Sequence, residues 1–190
     1  MNLPNKLTVL RMILVPVFVA VFYVTAIPYN FIISALIFAI ASITDFLDGY
    51  IARKHNLVTD FGKFLDPIAD KVLVSTALIV LVVPPVGVAI LPWYSGILVA
   101  LILARELIIS GFRLVAAGKG KVIAADKSGK IKTFVTDLTI IATLVAAQIT
   151  PAVYDLTNVI SFALLGVSAL LTVISGIECL VKNKEVISDK

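Results

Sequence analysis

Phe31 to Arg53 reads FIISALIFAIASITDFLDGYIAR, and its two halves differ in character. Phe31 to Thr44 carries no charged side chain, whereas Asp45, Asp48 and Arg53 crowd the remainder. An uncharged apolar run continued to about 20 residues is what a helix needs to cross a bilayer. Aspartate near the centre of such a helix costs roughly 2.5–3.5 kcal/mol on insertion scales, so carboxylates carried into one end of a span need a functional reason.

Working outward, five comparable runs accompany this one. The spacing of polar breaks predicts spans over about 7–26, 31–53, 63–83, 91–117, 130–149 and 153–181. Ile27-Pro28-Tyr29-Asn30, Pro84-Pro85 and Thr150-Pro151 form turns, since proline cannot continue a helix interior. The first run follows Lys6 and Arg11 and could pass for a cleaved leader, but five further runs favour an uncleaved span. That span is expected from near Leu7, after a short interfacial turn containing Pro4, with Asn2 as a cap. Composition agrees with an all-α, polytopic membrane protein forming one domain over residues 1–190. The chain is 60% apolar and 15% charged with a mean hydropathy of +1.08, against about 25% charged in soluble domains. These values exclude a disordered chain, a basic nucleic-acid-binding domain and an ordinary cytosolic enzyme. Cys179, the single cysteine, has no partner for a disulfide and reads as a small core or lipid-facing residue.

Charge placement orients the chain. Six spans put residues 1–6, 54–62, 118–129 and 182–190 on one side, and 27–30, 84–90 and 150–152 on the other. The second group has no lysine or arginine. All of the 16 cationic residues except Arg105 and Arg113 lie in the first group or the adjoining span ends. Cations are retained in the cytoplasm, so both termini are expected there.

Asp45 and Asp48 close the second span on that side, and Asp66 and Asp70 open the third. Spacings of three and four residues put each pair on one helix face. With a short connection between the spans, the two acidic faces are expected to meet as antiparallel neighbours, with Asp66 near a helix cap because Pro67 follows it. Four converging carboxylates repel one another unless cations neutralise them. Oxygen-only donors favour a hard divalent ion such as Mg²⁺, Mn²⁺ or Ca²⁺, and clustered Cys or His for zinc or copper is lacking. Capping and salt bridges to Arg53, Lys63 and Lys71 could satisfy two of the four. Gly49 and Ala52 form a small-residue stripe beside the acids, and Arg53 is a planar donor suited to phosphate. His55 and Asp60 read as solvated loop residues.

The arrangement Asp45-x2-Asp48-Gly49-x2-Ala52-Arg53-x8-Gly62-x3-Asp66-x3-Asp70 resembles the complete signature of the CDP-alcohol phosphotransferase family, with eight fixed positions over residues 45–70. The resemblance implies a six-helix membrane enzyme, usually a homodimer, that uses two divalent metal ions, Mg²⁺ or Mn²⁺. A cytidine diphosphate-linked donor there loses CMP as its other phosphoryl substituent passes to an alcohol. Residue by residue, it makes Asp45, Asp48, Asp66 and Asp70 metal ligands and Asp70 also the general base. Asn5, Thr8, Asp48, Gly49, Ala52, Arg53 and Gly62 would then line the donor site.

Outside the signature, Leu3 to Arg11, Ala104-Arg105-Glu106 and Gly129 to Thr133 resemble the bacterial branch that joins CDP-diacylglycerol to glycerol 3-phosphate. An anionic acceptor needs cations that the donor does not use. Arg105 and Arg113, eight residues apart on the fourth span, and Lys130 and Lys132 at the start of the fifth are the candidates for its phosphate. Glu106 and Asp137 are alternative structural partners for these cations. Lys119, Lys121 and Lys127 fit contacts with anionic lipid headgroups. Intramembrane Asp, Glu and Arg also suit an ion- or proton-coupled transporter, but such a site belongs near the midplane in broken helices. These acids lie at span ends, and the chain has no duplicated halves.

Overall fold

In the computed structural model, residues 2–54, 59–86, 88, 90–121, 123, 127–149 and 154–186 are described. They form six α-helices and, among the described residues, no strand: α1 (Leu3–Tyr23), α2 (Asn30–Lys54), α3 (Asp60–Val82), α4 (Ser95–Gly118), α5 (Lys127–Ile149) and α6 (Tyr154–Lys182). A single 3₁₀ turn, Lys184–Val186, follows. His55, Thr150 and Pro151 lie outside the described residues, as do the side chains of Ala52, Arg53, Asp60, Lys63 and Lys127.

Four helix starts differ from the sequence expectation by three or four residues: α4 begins at Ser95 rather than about 91, α5 at Lys127 rather than about 130, and α1 and α3 begin earlier at the acidic end. The first helix begins at Leu3, not near Leu7, so Pro4 and Asn5 belong to its first turn rather than to a separate interfacial turn. The physical reason is at its N-terminus: the Asn2 side chain accepts from the Asn5 amide, and Pro4 sits where its missing N–H costs nothing. The third helix begins at Asp60, capped by Thr59, whose hydroxyl accepts from the Gly62 amide. Asp66 is therefore in the second turn, not at the cap, and Pro67 lies inside the helix. The shifts in α1 and α3 lengthen both helices at the end that carries the acids.

The helices do not pack as a simple antiparallel series. The contact between α2 and α3 is slight, and α1 packs extensively on both, so the acidic faces meet across α1 rather than directly. Helix α5 packs on α2 and α6, and α4 packs chiefly on α6. The α1 residues Val15, Phe18 and Phe22 follow a three- and four-residue spacing and are buried, which turns one stripe of the helix to the core. Phe18 and Phe38 have ring centroids 6.2 Å apart, and Phe22 and Phe31 are 5.4 Å apart. Leu73, Leu78, Ile102, Ile140 and Leu144 complete this core.

Between α5 and α6 the seam is polar and small. Thr136 Oγ1 and Ser168 Oγ are 2.6 Å apart, and Thr139 bonds the Val135 carbonyl at 2.8 Å. Such short hydroxyl side chains let helix backbones approach closely where apolar burial gives little drive to associate. Outward, Ile13, Leu36, Ile40, Ile97, Leu107, Phe134 and Leu170 are all exposed. An apolar exterior of this extent marks a lipid-facing or interaction surface. Among the described residues, four helical segments are long and apolar enough to cross a membrane: Leu3–Tyr23, Asn30–Gly49, Ser128–Ile149 and Asn158–Lys182.

Candidate active site

The stripe of α1 that is apolar at Val15, Phe18 and Phe22 becomes polar toward the N-terminus, where Asn5, Thr8 and Arg11 are buried. Arg11 is 0% exposed and forks across two carboxylates of α2. Its Nη1 lies 2.7 Å from Asp45 Oδ1, and its Nη2 donates to Asp48 Oδ2 at 2.6 Å. Asp48 is itself buried, while Asp45 is partly open to solvent. Removing one member of a buried ion pair typically costs about 3–5 kcal/mol, because the other charge stays behind without a partner.

One turn earlier, the Thr8 hydroxyl lies 2.6 Å from Asp66 Oδ1 and 3.5 Å from Asp48 Oδ2. Carboxylates from α2 and α3 therefore converge on one hydroxyl of α1. Asn5 continues the junction, accepting at Oδ1 from the Thr59 hydroxyl at 3.0 Å. Gly62 closes it sterically. A Cβ there would stand 3.0 Å from Asn5 Oδ1, 3.2 Å from Thr59 Oγ1 and 3.7 Å from Asp66 Oδ2. Any larger residue would have to push the Asn5 and Thr59 side chains aside at this close approach between α1 and α3.

The four signature aspartates thus share one end of the bundle. Asp45 stands in the field of Asp48 and Asp66, and Asp70 in that of Asp45. Among the described residues, no three acidic, histidine or cysteine side chains are drawn together closely enough to hold a metal ion as they stand. The donor chemistry nonetheless fits a hard divalent cation: the donors are all oxygen, Asp48 and Asp66 are one hydroxyl apart, and a cation already bridges Asp45 and Asp48. That cation is the Arg11 guanidinium. Lys71 makes none of the described ion pairs, its Nζ bonding the Pro67 carbonyl at 3.2 Å, and its charge acts on Asp70 through space.

Asp70 also faces a cleft between α3, α4 and α5, whose lining includes Glu106, Lys132, Thr133 and Asp137. Lys132 is buried and pairs with Glu106. Arg105 reaches the same carboxylate at 3.2 Å, but its Nη2 bonds Ser175 on α6 at 2.8 Å and its stem packs on Gly176. Asp137 accepts from Ser42 on α2 at 2.6 Å. Of the four cations assigned from sequence to the acceptor phosphate, Lys132 lines the cleft and Arg105 is held on the α6 side. Arg113 is half-buried, its Nε without a hydrogen-bond partner, and Lys130 is exposed at the start of α5. Glu106 thus partners two of these cations, as the structural alternative anticipated, and Asp137 partners a hydroxyl.

In the sequence Arg11 reads as a cation near the start of the first span and as the end of the Leu3–Arg11 stretch, not as a partner of the aspartates. The available signal was its spacing: Thr8, Arg11, Val15, Phe18 and Phe22 keep the three- and four-residue rhythm of a buried stripe, so Arg11 had to face the interior.

The model of the CDP-alcohol phosphatidyltransferase family matches residues 1–174, which spans α1 to α5 and most of α6. The chain belongs to the CDP-alcohol phosphatidyltransferase family. Among curated members, a Bacillus subtilis (strain 168) protein named CDP-diacylglycerol–glycerol-3-phosphate 3-phosphatidyltransferase is 42% identical, the match covering 97% of this chain and 96% of the relative. A Rickettsia bellii (strain RML369-C) protein of the same name is 39% identical over 92% of this chain and 91% of its own length. One from Salmonella paratyphi A is 44% identical over 70% of each. For a CDP-alcohol phosphatidyltransferase, the region that α1, α2 and α3 build around Arg11 and Thr8 contains the whole of the signature quartet.

Proposed function

We propose that this chain transfers the phosphatidyl group of CDP-diacylglycerol to a hydroxyl of sn-glycerol 3-phosphate, giving phosphatidylglycerophosphate and CMP. The observation that carries the reading is the convergence of the α2 and α3 carboxylates on α1, beside a cleft in which Asp70 and Lys132 face the same space. The activity named for the relatives of 39–44% identity supports the same acceptor.

In this reading Asp45, Asp48, Asp66 and Asp70 would hold two divalent ions, Mg²⁺ or Mn²⁺, which when bound neutralise the diphosphate and the charge developing on CMP. The chain's own groups do the rest. Asn5, Thr8, Gly49 and Gly62 are read as the nucleotide side, and the signature adds Ala52 and Arg53 to it. Lys132, Arg113 and Lys130 attract the acceptor's phosphate, and Arg105 holds Glu106 beside Lys132. Asp70 accepts the acceptor's hydroxyl proton as that oxygen bonds to the phosphorus carrying diacylglycerol. The bond from this phosphorus to the bridging oxygen breaks, and CMP leaves with the electron pair. Positioning and electrostatics account for most of phosphoryl transfer, which suits a site made from fixed charges on rigid helices.

The single domain of residues 1–190 is read as six spans of a cell-membrane homodimer, with both termini and the acidic end cytoplasmic. Support comes from the cation-free connections at 27–30 and 84–90, and from Tyr29, Trp93 and Tyr94, which are exposed at the ends away from the acids. The donor's acyl chains then remain in lipid while its nucleotide meets the site from water.

The test is CMP release from CDP-diacylglycerol by the purified protein with Mg²⁺ or Mn²⁺, offering glycerol 3-phosphate, serine, inositol and inositol phosphate separately. Release with glycerol 3-phosphate alone is expected. Release with another acceptor overturns the reading of the cations, and release with none overturns the reaction.

A further inference from the structure

The charge on Arg11 stands where a cation is needed. Asp45 and Asp48 are three residues apart on one face of α2, and their negative charges meet on the α1 side. The guanidinium is planar, permanently charged and inaccessible to solvent, and it touches one oxygen of each carboxylate. Its position is built in from several sides. Thr8 precedes it on the stripe and bonds Asp66, and Val15 and Phe18 follow it into the apolar core. The side chain has no other acidic partner among the described ion pairs. A divalent ion at the same two carboxylates would supply charge that the protein already supplies.

We propose that Arg11 is a resident counter-cation for Asp45 and Asp48, holding the α2 pair together in the ion-free protein, so that Arg11 and a divalent ion stabilise the same two charges in competition. This rests on the reading of the aspartate quartet as an ion site. The consequence is an antagonistic coupling: removing the guanidinium weakens the ion-free protein and strengthens its hold on the ion. A residue that only packs the core has no such coupling. One that only pre-shapes the ion site has coupling of the opposite sign.

The experiment is Mn²⁺ binding to the full chain in lipid nanodiscs, without nucleotide, followed by electron paramagnetic resonance and by thermal unfolding in chelator and in Mn²⁺. Wild type, Arg11→Met and Arg11→Lys are compared. For Arg11→Met the expected result is a lower unfolding temperature in chelator and about tenfold tighter Mn²⁺ binding than wild type, equivalent to about 1.4 kcal/mol. The rise on adding Mn²⁺ then exceeds that of wild type. Arg11→Lys, whose compact ammonium cannot fork across both carboxylates, falls between the two. An Arg11→Met chain recovered only when Mn²⁺ is present is the extreme form of the expected result. Equal Mn²⁺ affinity in wild type and Arg11→Met, or weaker binding in the variant, overturns the proposal while leaving the ion site in place. If Arg11→Met is not recovered under either condition, a wild-type Mn²⁺ response from Arg11→Lys overturns it. A wild-type chain that binds no Mn²⁺ overturns the ion site itself, and this proposal with it.

Discussion

Thr8 and Asp66 are 58 residues apart in the chain, yet the Thr8 hydroxyl donates to Asp66 Oδ1 at 2.6 Å. This bond ties the start of α1 to the acidic turn of α3. Thr8→Val keeps the side chain's shape and removes the donor, leaving Asp66 without this partner. A hydrogen bond to a charged group contributes about 1.5–3 kcal/mol. We therefore expect Thr8→Val to lose stability of that order in denaturant unfolding and to reduce CMP release at least tenfold. Thr8→Ser, which retains the hydroxyl, should keep most of both. Equal behaviour of the two variants would remove the bond from the site.

Gly62 provides an independent test of the same junction. The Cβ of alanine would meet Asn5 Oδ1 at 3.0 Å and Thr59 Oγ1 at 3.2 Å, both already engaged with each other. Neither neighbour can yield without loosening the α3 cap or the α1–α3 contact. Gly62→Ala should destabilise by about 1–3 kcal/mol, the usual range for overpacking. The check is a lower unfolding temperature together with a raised KM for CDP-diacylglycerol. Glycerol 3-phosphate affinity should be little changed.

Much of this architecture was legible in the sequence, for a physical reason. Hydropathy and proline placement report local chain energetics, and each of the six expected spans corresponds to a helix within a few residues. The errors fell where local signals conflict. The polar side chains of Asn5, Lys6 and Arg11 depress hydropathy at the start of α1, although Asn2 and Pro4 favour a helix there. Pro67 reads as a helix start, although Thr59 has already capped α3. The aspartates were legible because charge in an apolar run is conspicuous. The partners were not: Arg11 reaches Asp48 across 37 positions, and Arg105 reaches Ser175 across 70. Such pairs depend on how helices pack, and α1 between α2 and α3 is not a feature of any one segment.

Asp70 lines the same cleft as Lys132, which puts it where the proposed reaction calls for a proton acceptor. Asparagine preserves the volume and removes the proposed base. Because general acid–base catalysis contributes roughly 10²–10⁴-fold, Asp70→Asn should lower kcat by that factor. Binding of CDP-diacylglycerol, followed by equilibrium dialysis of a labelled nucleotide, should fall far less. Wild-type turnover in Asp70→Asn would show that another group takes the proton.

The cations near the cleft divide into two kinds, and their variants should fail differently. Lys132 is buried beside Glu106 and lines the cleft, so Lys132→Met should raise the KM for glycerol 3-phosphate at least tenfold while leaving that for CDP-diacylglycerol nearly unchanged. Arg105 is anchored on α6 by Ser175, and its stem leaves no room at Gly176, where a Cβ would meet Arg105 Cγ at 3.0 Å and Nε at 3.1 Å. Gly176→Ala should therefore displace Arg105, which reaches the cleft only through its pair with Glu106. Its expected signature is a loss of about 1–3 kcal/mol in stability with a smaller rise in acceptor KM than Lys132→Met gives. Kinetics with varied glycerol 3-phosphate, run beside thermal unfolding of each variant, separate the two. If Gly176→Ala raised KM as much as Lys132→Met without loss of stability, Arg105 would belong with Lys132 on the acceptor's phosphate. If Lys132→Met left KM unchanged, the cleft would not be the acceptor site.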